Sequence, residues 1–232
     1  MLDAARTAKN GPPVAVVYAS SAAVYGDNPA VLLVKSAEKR PLTAYGADKL
    51  GCEQHAQVAG NVHNVPTMGF RFFNIYGPRQ DPGSPYSGVI SIFADRLSAG
   101  QIATLHGDGG QRRDFVYVGD CVRFVIAGME KASIAAEVFN VCTGTPSSLL
   151  DLIAALSDAG GRELIVEHGP AQVGDIRDSF GDVAKTTSAF STTVETSLRD
   201  GRAFNTGAVL NSDRRDRSTP PYPVIELPSH RG

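Results

Sequence analysis

Two stretches decide the fold: Val14-Ala15-Val16-Val17-Tyr18-Ala19-Ser20-Ser21 and Pro66-Thr67-Met68-Gly69-Phe70-Arg71-Phe72-Phe73. The first begins with a continuous β-branched run, which is typical of a parallel strand that is buried on both faces. The second predicts another buried strand, and residues Ala44–Gly60 between them carry a helical pattern. Strand, helix and strand in this order predict an α/β fold with a parallel sheet.

Composition excludes several classes of function. Of 232 residues, 42% are hydrophobic, which is enough for a sizeable core. Lys and Arg total 22 against 24 Asp and Glu, so the net charge of −2 argues against a protein that binds nucleic acid by neutralising phosphates. We expect no membrane span, since the apolar runs are short, and no signal peptide at Met1. Three widely spaced cysteines predict free thiols and a cytoplasmic protein, and the histidine spacing predicts no metal site.

Shorter apolar runs predict further strands and helices along the chain. Three further strands and three further helices are predicted, with the strands at Ile102–Leu105, Phe115–Val118 and Val138–Val141 and the helices at Ile90–Ala99, Asp120–Met129 and Leu149–Leu156. The end of the chain is rich in Ser, Thr, Arg and Pro, which predicts a poorly ordered tail.

Tyr45 and Lys49 form a Y-x-x-x-K motif on the predicted helix. Spacing of four places both side chains on one helix face, where a nearby ammonium favours the phenolate and allows Tyr45 to act as a base. The motif alone is more typical of an exposed helix pair. Ser20 and Ser21 strengthen it, because they lie where a buried parallel strand ends, although a serine pair there can also cap a helix.

Five segments in chain order resemble the extended short-chain dehydrogenase/reductases. Ala19–Gly26 is similar to their active-site strand, Tyr45–Lys49 to their catalytic helix and Arg71–Arg79 to the strand that meets the nicotinamide. Gly107–Asp120 resembles their sugar-nucleotide segment and Phe139–Gly144 a later strand. Within that group, the chain resembles the NAD-dependent epimerase/dehydratase family, particularly the UDP-hexose 4-epimerases.

This resemblance implies roles for individual residues. Tyr45 is the expected acid/base, Lys49 is expected to hold the nicotinamide ribose of NAD, and Ser21 is expected to bond the sugar 4-hydroxyl. The other expected contacts are Ser20 and Phe73 with the cofactor, Asn74 with the UDP-sugar, Thr104 and His106 with the uracil, and Arg113 with the diphosphate. Two of these residues can instead have a purely structural role: His106 as an ordinary half-buried strand residue, and Arg113 in a surface ion pair with a neighbouring acid.

The resemblance also implies a domain plan. We expect a partial Rossmann-like parallel sheet in residues 1–76 and 115–145, and a smaller α/β substrate-binding subdomain in 77–114 and 146–183. Residues 184–232 are expected to form a divergent, poorly ordered tail. None of the 24 glycines forms the G-x-x-G-x-x-G turn that binds the pyrophosphate of a dinucleotide, so we expect the early strands of the sheet to be missing.

Four positions depart from, or refine, the family pattern. Gln172 stands where the family usually has a diphosphate-binding arginine, for which Arg177 is a possible replacement. Ala22 and Ala23 replace the Asp-Glu pair of the related dehydratases, which favours epimerisation over water elimination. Ser179 matches a gate position where a small residue leaves room for an N-acetyl group, although it could instead cap local backbone.

The sequence therefore predicts NAD-dependent epimerisation at carbon 4 of a UDP-hexose, by transient hydride transfer. UDP-glucose and UDP-galactose are the expected substrates, with N-acetylated forms tolerated. The resemblance also implies a homodimer formed through two helices, one of which contains Tyr45. Two alternatives stay open: a non-catalytic fragment of such an enzyme, and a related nucleotide-sugar decarboxylase or reductase.

Overall fold

The computed structural model describes residues 1–8, 11–30, 32–78, 80–84, 88–172 and 175–198. These residues form six α-helices and ten β-strands. The helices are α1 Leu2–Arg6, α2 Ala44–His63, α3 Val89–Ala99, α4 Val118–Lys131, α5 Leu149–Gly160 and α6 Ala184–Ala189. The strands are β1 Val16–Ser21, β2 Thr67–Phe72, β3 Asn74–Tyr76, β4 Ala103–His106, β5 Arg112–Arg113, β6 Phe115–Tyr117, β7 Glu137–Val141, β8 Ser147–Ser148, β9 Val166–Gly169 and β10 Asp178–Ser179.

The central sheet is parallel and has the order β1-β2-β7 within the described residues. Val16 pairs with Thr67 at one end and Ser21 with Phe72 at the other, and β2 is buried at every position. Both decisive stretches therefore form strands, and the predicted α/β fold with a parallel sheet is confirmed.

Helices α2 and α4 cover opposite faces of this sheet. Arg71 of β2 contacts Glu53 of α2, whereas the adjacent Phe70 lies against α4, where a Cβ on Gly128 would come within 2.6 Å of its ring. Adjacent residues of a strand point to opposite faces, so the two contacts fix one helix on each side. Glycine at position 128 is what allows α4 to approach the aromatic face so closely.

A second cluster of buried apolar side chains lies around α3 and α5, and includes Phe93, Leu105, Leu152 and Leu156. Its strands form three small sheets: β3-β6 and β4-β9, both parallel, and β10-β5-β8. The boundaries expected for the two domains stay predictions.

The boundary expected for the tail, at residue 184, falls inside the packed part of the chain. Residues 184–189 form α6, and Phe190 is buried in an apolar cluster that also contains Phe70, Phe124 and Phe139. The Phe190 ring centroid lies 5.2 Å from that of Phe139 and 5.6 Å from that of Phe70. The polar composition of this segment did not indicate that one of its aromatic residues packs in the core. Residues 199–232 of the expected tail lie outside the described residues.

A buried polar network links α2 to the sheet. Glu53 and Arg71 form a bidentate ion pair, with Nε–Oε1 at 2.8 Å and Nη2–Oε2 at 2.6 Å, and both side chains are less than a tenth exposed. The Ser20 hydroxyl donates to Glu53 Oε1 at 2.6 Å. Arg71 Nη1 donates to the Tyr25 hydroxyl, which in turn donates to Asn140 Oδ1. The network therefore joins α2, β1, β2 and β7.

This network predicts a large penalty when one partner is removed. Glu53→Ala should lower the free energy of unfolding by about 3–5 kcal/mol, because it leaves the Arg71 guanidinium buried without its counter-charge. Urea unfolding followed by circular dichroism measures the change. Glu130→Ala, at an exposed glutamate of α4, is the matched control and should stay within about 0.5 kcal/mol. Equal losses in the two variants would contradict the assignment.

Candidate functional site

A cleft of about 380 Å³ opens where β1 and β2 end. Sites in open α/β sheets occur at the carboxyl ends of the strands, so this is the expected position for a ligand. We call it the strand-end cleft; it is lined by Ala19, Ser20, Ser21, Tyr45, Phe72, Phe73, Asn74, Ile75, Gln80 and Gly88.

The start of α2 carries Tyr45 to this cleft. Thr43 caps the helix by accepting a hydrogen bond from the Gly46 N–H at 3.1 Å. A Cβ at Gly46 would lie 2.6 Å from the Ala23 carbonyl oxygen, so glycine lets the helix start pack directly on the turn after β1. Tyr45 is 44% exposed, which leaves its ring accessible from the cleft.

Lys49 connects Tyr45 to the end of β1. Its ammonium lies 5.5 Å from the centroid of the Tyr45 ring and donates a hydrogen bond to the Ala19 carbonyl oxygen at 2.9 Å. The predicted same-face arrangement of Tyr45 and Lys49 is therefore present, and it holds both groups beside the strand end.

The two serines differ in direction. Ser21 lines the cleft, and its Oγ accepts a hydrogen bond from the Ala23 N–H at 3.1 Å, so it also caps the turn Ala22–Tyr25. Ser20 is 2% exposed and its hydroxyl donates to Glu53 in the interior. Ser20 borders the cleft while its hydroxyl is committed to the buried network, and the expectation that it contacts the cofactor stays a prediction.

Phe73 and Asn74 meet in the same cleft. Phe73 is buried, and Asn74 is half-buried, with its Nδ2 3.2 Å from the Asp114 carbonyl oxygen, to which it donates. Asp114 is buried beneath them and accepts hydrogen bonds from Thr143 and Gly144. Burial raises the pKa of the Asp114 carboxyl, while the bonds from Thr143 and Gly144 oppose that rise.

Gln80 is a cleft residue that the sequence did not single out. Its Nε2 lies 3.4 Å from the Ile75 carbonyl oxygen, to which it donates, while its Oε1 is buried and has no hydrogen-bond partner among the described residues. A buried acceptor of this kind is available to a ligand that brings a donor.

A second cleft, of about 510 Å³, lies between α3 and β4. We call it the α3–β4 cleft. It brings together Thr104, His106, Arg113 and Gln172, all of which the sequence placed near the nucleotide. Its lining also includes Val89, Ile92, Phe93, Arg96, Ile102, Leu105, Gln111, Leu149 and Asp175.

Three of the predicted residues of the α3–β4 cleft, Thr104, His106 and Arg113, have a side-chain partner within the protein. Thr104 Oγ1 lies 3.5 Å from Glu167, and half-buried His106 has its Nδ1 3.1 Å from the Pro170 carbonyl oxygen. Arg113 forms an ion pair with Asp175, as the ion-pair alternative for this residue anticipated, and its side chain is only 16% exposed.

Gln111 is the polar group of this cleft that the sequence missed. It is 6% exposed and its Nε2 donates to the His106 carbonyl oxygen and to Asp175. Its Oε1 is buried with no hydrogen-bond partner in the described part of the chain. The sequence shows the glycine-rich turn before Gln111 and the two arginines after it. It does not show that Gln111 Oε1 lacks a hydrogen-bond partner, because that depends on the three-dimensional structure.

Arg177 and Ser179 line neither cleft. Arg177 forms an exposed ion pair with Asp108 at 2.6 Å, and borders a separate cavity with Asp27 and Leu42. Ser179 is half-buried in β10, opposite Arg113 of β5. The structure therefore does not bring these two predicted substrate contacts to Tyr45.

Two kinds of feature are absent from the described residues. No group of three or more His, Cys, Asp or Glu side chains is arranged to hold a metal ion. No helix there combines the length and the apolar character that crossing a bilayer requires.

Comparisons with known proteins agree on one family. The family model described as "NAD dependent epimerase/dehydratase family" matches residues 1–142. The UDP-glucose 4-epimerase of Mycolicibacterium smegmatis is 33% identical over 190 residues, which are 81% of this chain and 60% of that protein. The chain thus spans about three fifths of the length of this relative.

Solved structures are similar as well. A UDP-glucose 4-epimerase from Thermotoga maritima with UDP-glucose matches with a TM-score of 0.85 and 27% identity, covering 92% of this chain and 68% of that one. A UDP-N-acetylglucosamine 4-epimerase from Methanobrevibacter ruminantium, in complex with UDP-N-acetylmuramic acid, matches with a TM-score of 0.80 and 29% identity. That match covers 85% of this chain and 63% of the other.

The exposed Asp108–Arg177 pair, which lies outside both clefts, gives a direct test of a long-range contact in the structure. The hydrogen bond from Arg177, followed by that from the Gly110 N–H, lowers the pKa of the Asp108 carboxyl from 3.8 to about 2. Arg177→Ala should raise this pKa towards 3.8, because the charged form loses its main donor. Carboxyl carbon NMR over a pH titration measures it. Arg162→Ala is the control and should leave it unchanged; an unchanged value in Arg177→Ala would refute the pairing.

Proposed function

The chain belongs to the NAD dependent epimerase/dehydratase family, and from that membership we propose that it contributes the reacting end of a UDP-hexose 4-epimerase that uses NAD. The observation that carries the proposal is the meeting of Tyr45, Lys49 and Ser21 at the end of β1, in one cleft. An acid/base group, a cation and a hydroxyl at one strand end are the groups that proton removal from a sugar hydroxyl requires.

The strand-end cleft suits the nicotinamide end of NAD. Ala19 is exposed at the end of β1, the Lys49 ammonium lies beside it, and Phe73 offers an aromatic wall. The unused acceptor Oε1 of Gln80 in the same cleft can take a hydrogen bond from an amide or a hydroxyl. When bound, NAD supplies a reversible acceptor for the hydride on carbon 4 of the sugar.

The residues of this chain then handle the proton and the orientation. Tyr45 takes the proton of the 4-hydroxyl and later returns it, and Ser21 orients that hydroxyl. Lys49 holds the ribose of the cofactor next to Tyr45. The α3–β4 cleft takes the nucleotide, with Gln111 Oε1 free to accept from the N–H of uracil and Arg113 near the diphosphate.

Ala22 and Ala23 support epimerisation against dehydration. They begin the turn that follows Ser21, directly beside the cleft. A methyl side chain carries no ionisable proton, so this turn cannot supply the acid/base pair that removes water. Tyr45 is then the group that exchanges the substrate proton.

We further propose that the complete protein is a cytoplasmic homodimer. Val58 and Val62 of α2 are 55% and 63% exposed and lie one turn apart, which gives the Tyr45 helix an apolar outer stripe for a second copy. The three cysteines are free thiols, as expected in a reducing compartment.

Substitution of Tyr45 tests the assigned acid/base. In the complete protein with UDP-galactose and NAD, Tyr45→Phe should lower the rate of UDP-glucose formation by roughly 10²–10⁴-fold. Binding of UDP, measured by calorimetry, should stay unchanged because the nucleotide lies in the other cleft. Asp48→Asn, at an exposed position of the same helix, is the control. Near-normal turnover by Tyr45→Phe would assign the proton transfer to another group.

Substitution of Ser179 tests the proposed sugar preference. We propose that UDP-N-acetylglucosamine is epimerised as well, and Ser179→Tyr tests whether position 179, which lines neither cleft, reaches the sugar. A gate at this position requires that the variant lose the N-acetylated substrate by tens-fold or more while UDP-galactose is spared. Ser179→Ala should retain both activities. Equal losses on the two substrates would show that Ser179 supports β10 rather than a sugar pocket.

A further inference from the structure

A third cavity, of about 450 Å³, lies beside α2 and shares no lining residue with the strand-end cleft or the α3–β4 cleft. It is bordered by the middle of α2, the start of β7, Arg71 of β2 and Lys185 of α6. A volume of this size is within the range of small-molecule sites.

The charges around this cavity do not balance. Its lining carries four cations, Lys35, Lys39, Arg71 and Lys185, against two anions, Glu53 and Glu137, so the difference is +2. The whole chain, by contrast, has a net charge of −2. The cavity therefore concentrates positive charge on a slightly acidic protein.

Both anions already have partners. Glu53 is held by Arg71, with Nη2 and Oε2 2.6 Å apart, and Glu137 pairs with Lys35 at 3.0 Å. The other two cations of the cavity, Lys39 and Lys185, form no ion pair with a carboxylate in the part of the chain that the structure describes. They are the two cations of the cavity that an anion from solution can neutralise.

Lys39 is also partly desolvated. It is half-buried, and burial together with repulsion by the Arg71 guanidinium lowers the pKa of its ammonium. Arg71 cannot move away, because it is 4% exposed and its donors are committed to Glu53, the Tyr25 hydroxyl and the Lys35 carbonyl oxygen. A fixed cation beneath a partly buried ammonium favours a bound anion over water.

We propose that this cavity is a binding site for a small phosphate-bearing molecule, with Lys39 and Lys185 contacting the phosphate. Lysine ammonium groups bind phosphate as compact point charges. The exposed side chains of Ser36, Gln54 and Gln57 line the same cavity and supply hydrogen-bonding groups for the rest of the molecule. This site is independent of the proposed epimerase activity.

Lysine-resolved NMR on the 232-residue chain tests the proposal with inorganic phosphate as the probe. Reductive ¹³C-dimethylation keeps each lysine charged and gives one signal for each of the six lysines. Phosphate, titrated against chloride at equal ionic strength, should shift the Lys39 and Lys185 signals saturably and with one common Kd, while Lys131 on α4 stays unchanged. Uniform shifts at all six lysines, or no saturable shift, would overturn the proposal.

Variants separate this site from the nucleotide region. The double variant Lys39→Ala/Lys185→Ala should weaken phosphate binding by about tenfold or more, because two charge-assisted contacts are lost. Lys131→Ala is the matched control, and Arg113→Ala reports on the α3–β4 cleft; both should stay within about twofold. Phosphate binding that survives the double variant but is lost in Arg113→Ala would place the phosphate in the α3–β4 cleft and refute the proposed site.

Discussion

The buried pair of Glu53 and Arg71 is the interaction on which the geometry around Tyr45 depends. Glu53 lies four residues after Lys49 and eight after Tyr45, so all three project from one side of α2. Because Arg71 binds both oxygens of Glu53 from the neighbouring strand, α2 cannot rotate without breaking two hydrogen bonds in the interior. The directions of Lys49 and Tyr45 at the strand end follow from that anchor.

The same pair explains why the hydroxyls of Ser20 and Ser21 have different partners. Ser20 donates to Glu53, which fixes the face of β1 that looks towards α2. Adjacent strand residues point to opposite sides, so Ser21 turns away from Glu53, borders the cleft and caps the following turn. Every buried member of this network has a partner, and such a network gains more in defined orientation than in net stability.

Sequence patterns were sufficient for the longer helices and strands, but not for α6, for short strands such as β9, or for the contacts between distant segments. The β-branched run at Val16 and the Tyr45–Lys49 spacing depend on neighbours in the chain, and both appear in the structure as expected. Arg113 with Asp175, and Arg177 with Asp108, join residues more than sixty positions apart, which no periodicity reveals. The helical pattern around Glu53 does not mark it as buried, because its burial depends on Arg71, which belongs to the next strand.

The proposed reaction makes opposite demands on the two clefts, and their linings differ accordingly. A hexose that must present both faces to the cofactor cannot be held by many fixed polar groups, whereas the nucleotide must be held firmly. The α3–β4 cleft contains the Arg113–Asp175 pair and buried Gln111, which are already fixed by hydrogen bonds before a ligand arrives. Around Tyr45 the lining is mostly small or aromatic, and its other polar side chains are Ser20, Ser21, Asn74 and Gln80. In the proposed reaction, contacts with the nucleotide in the α3–β4 cleft therefore supply most of the binding energy, and the sugar stays free to rotate beside Tyr45.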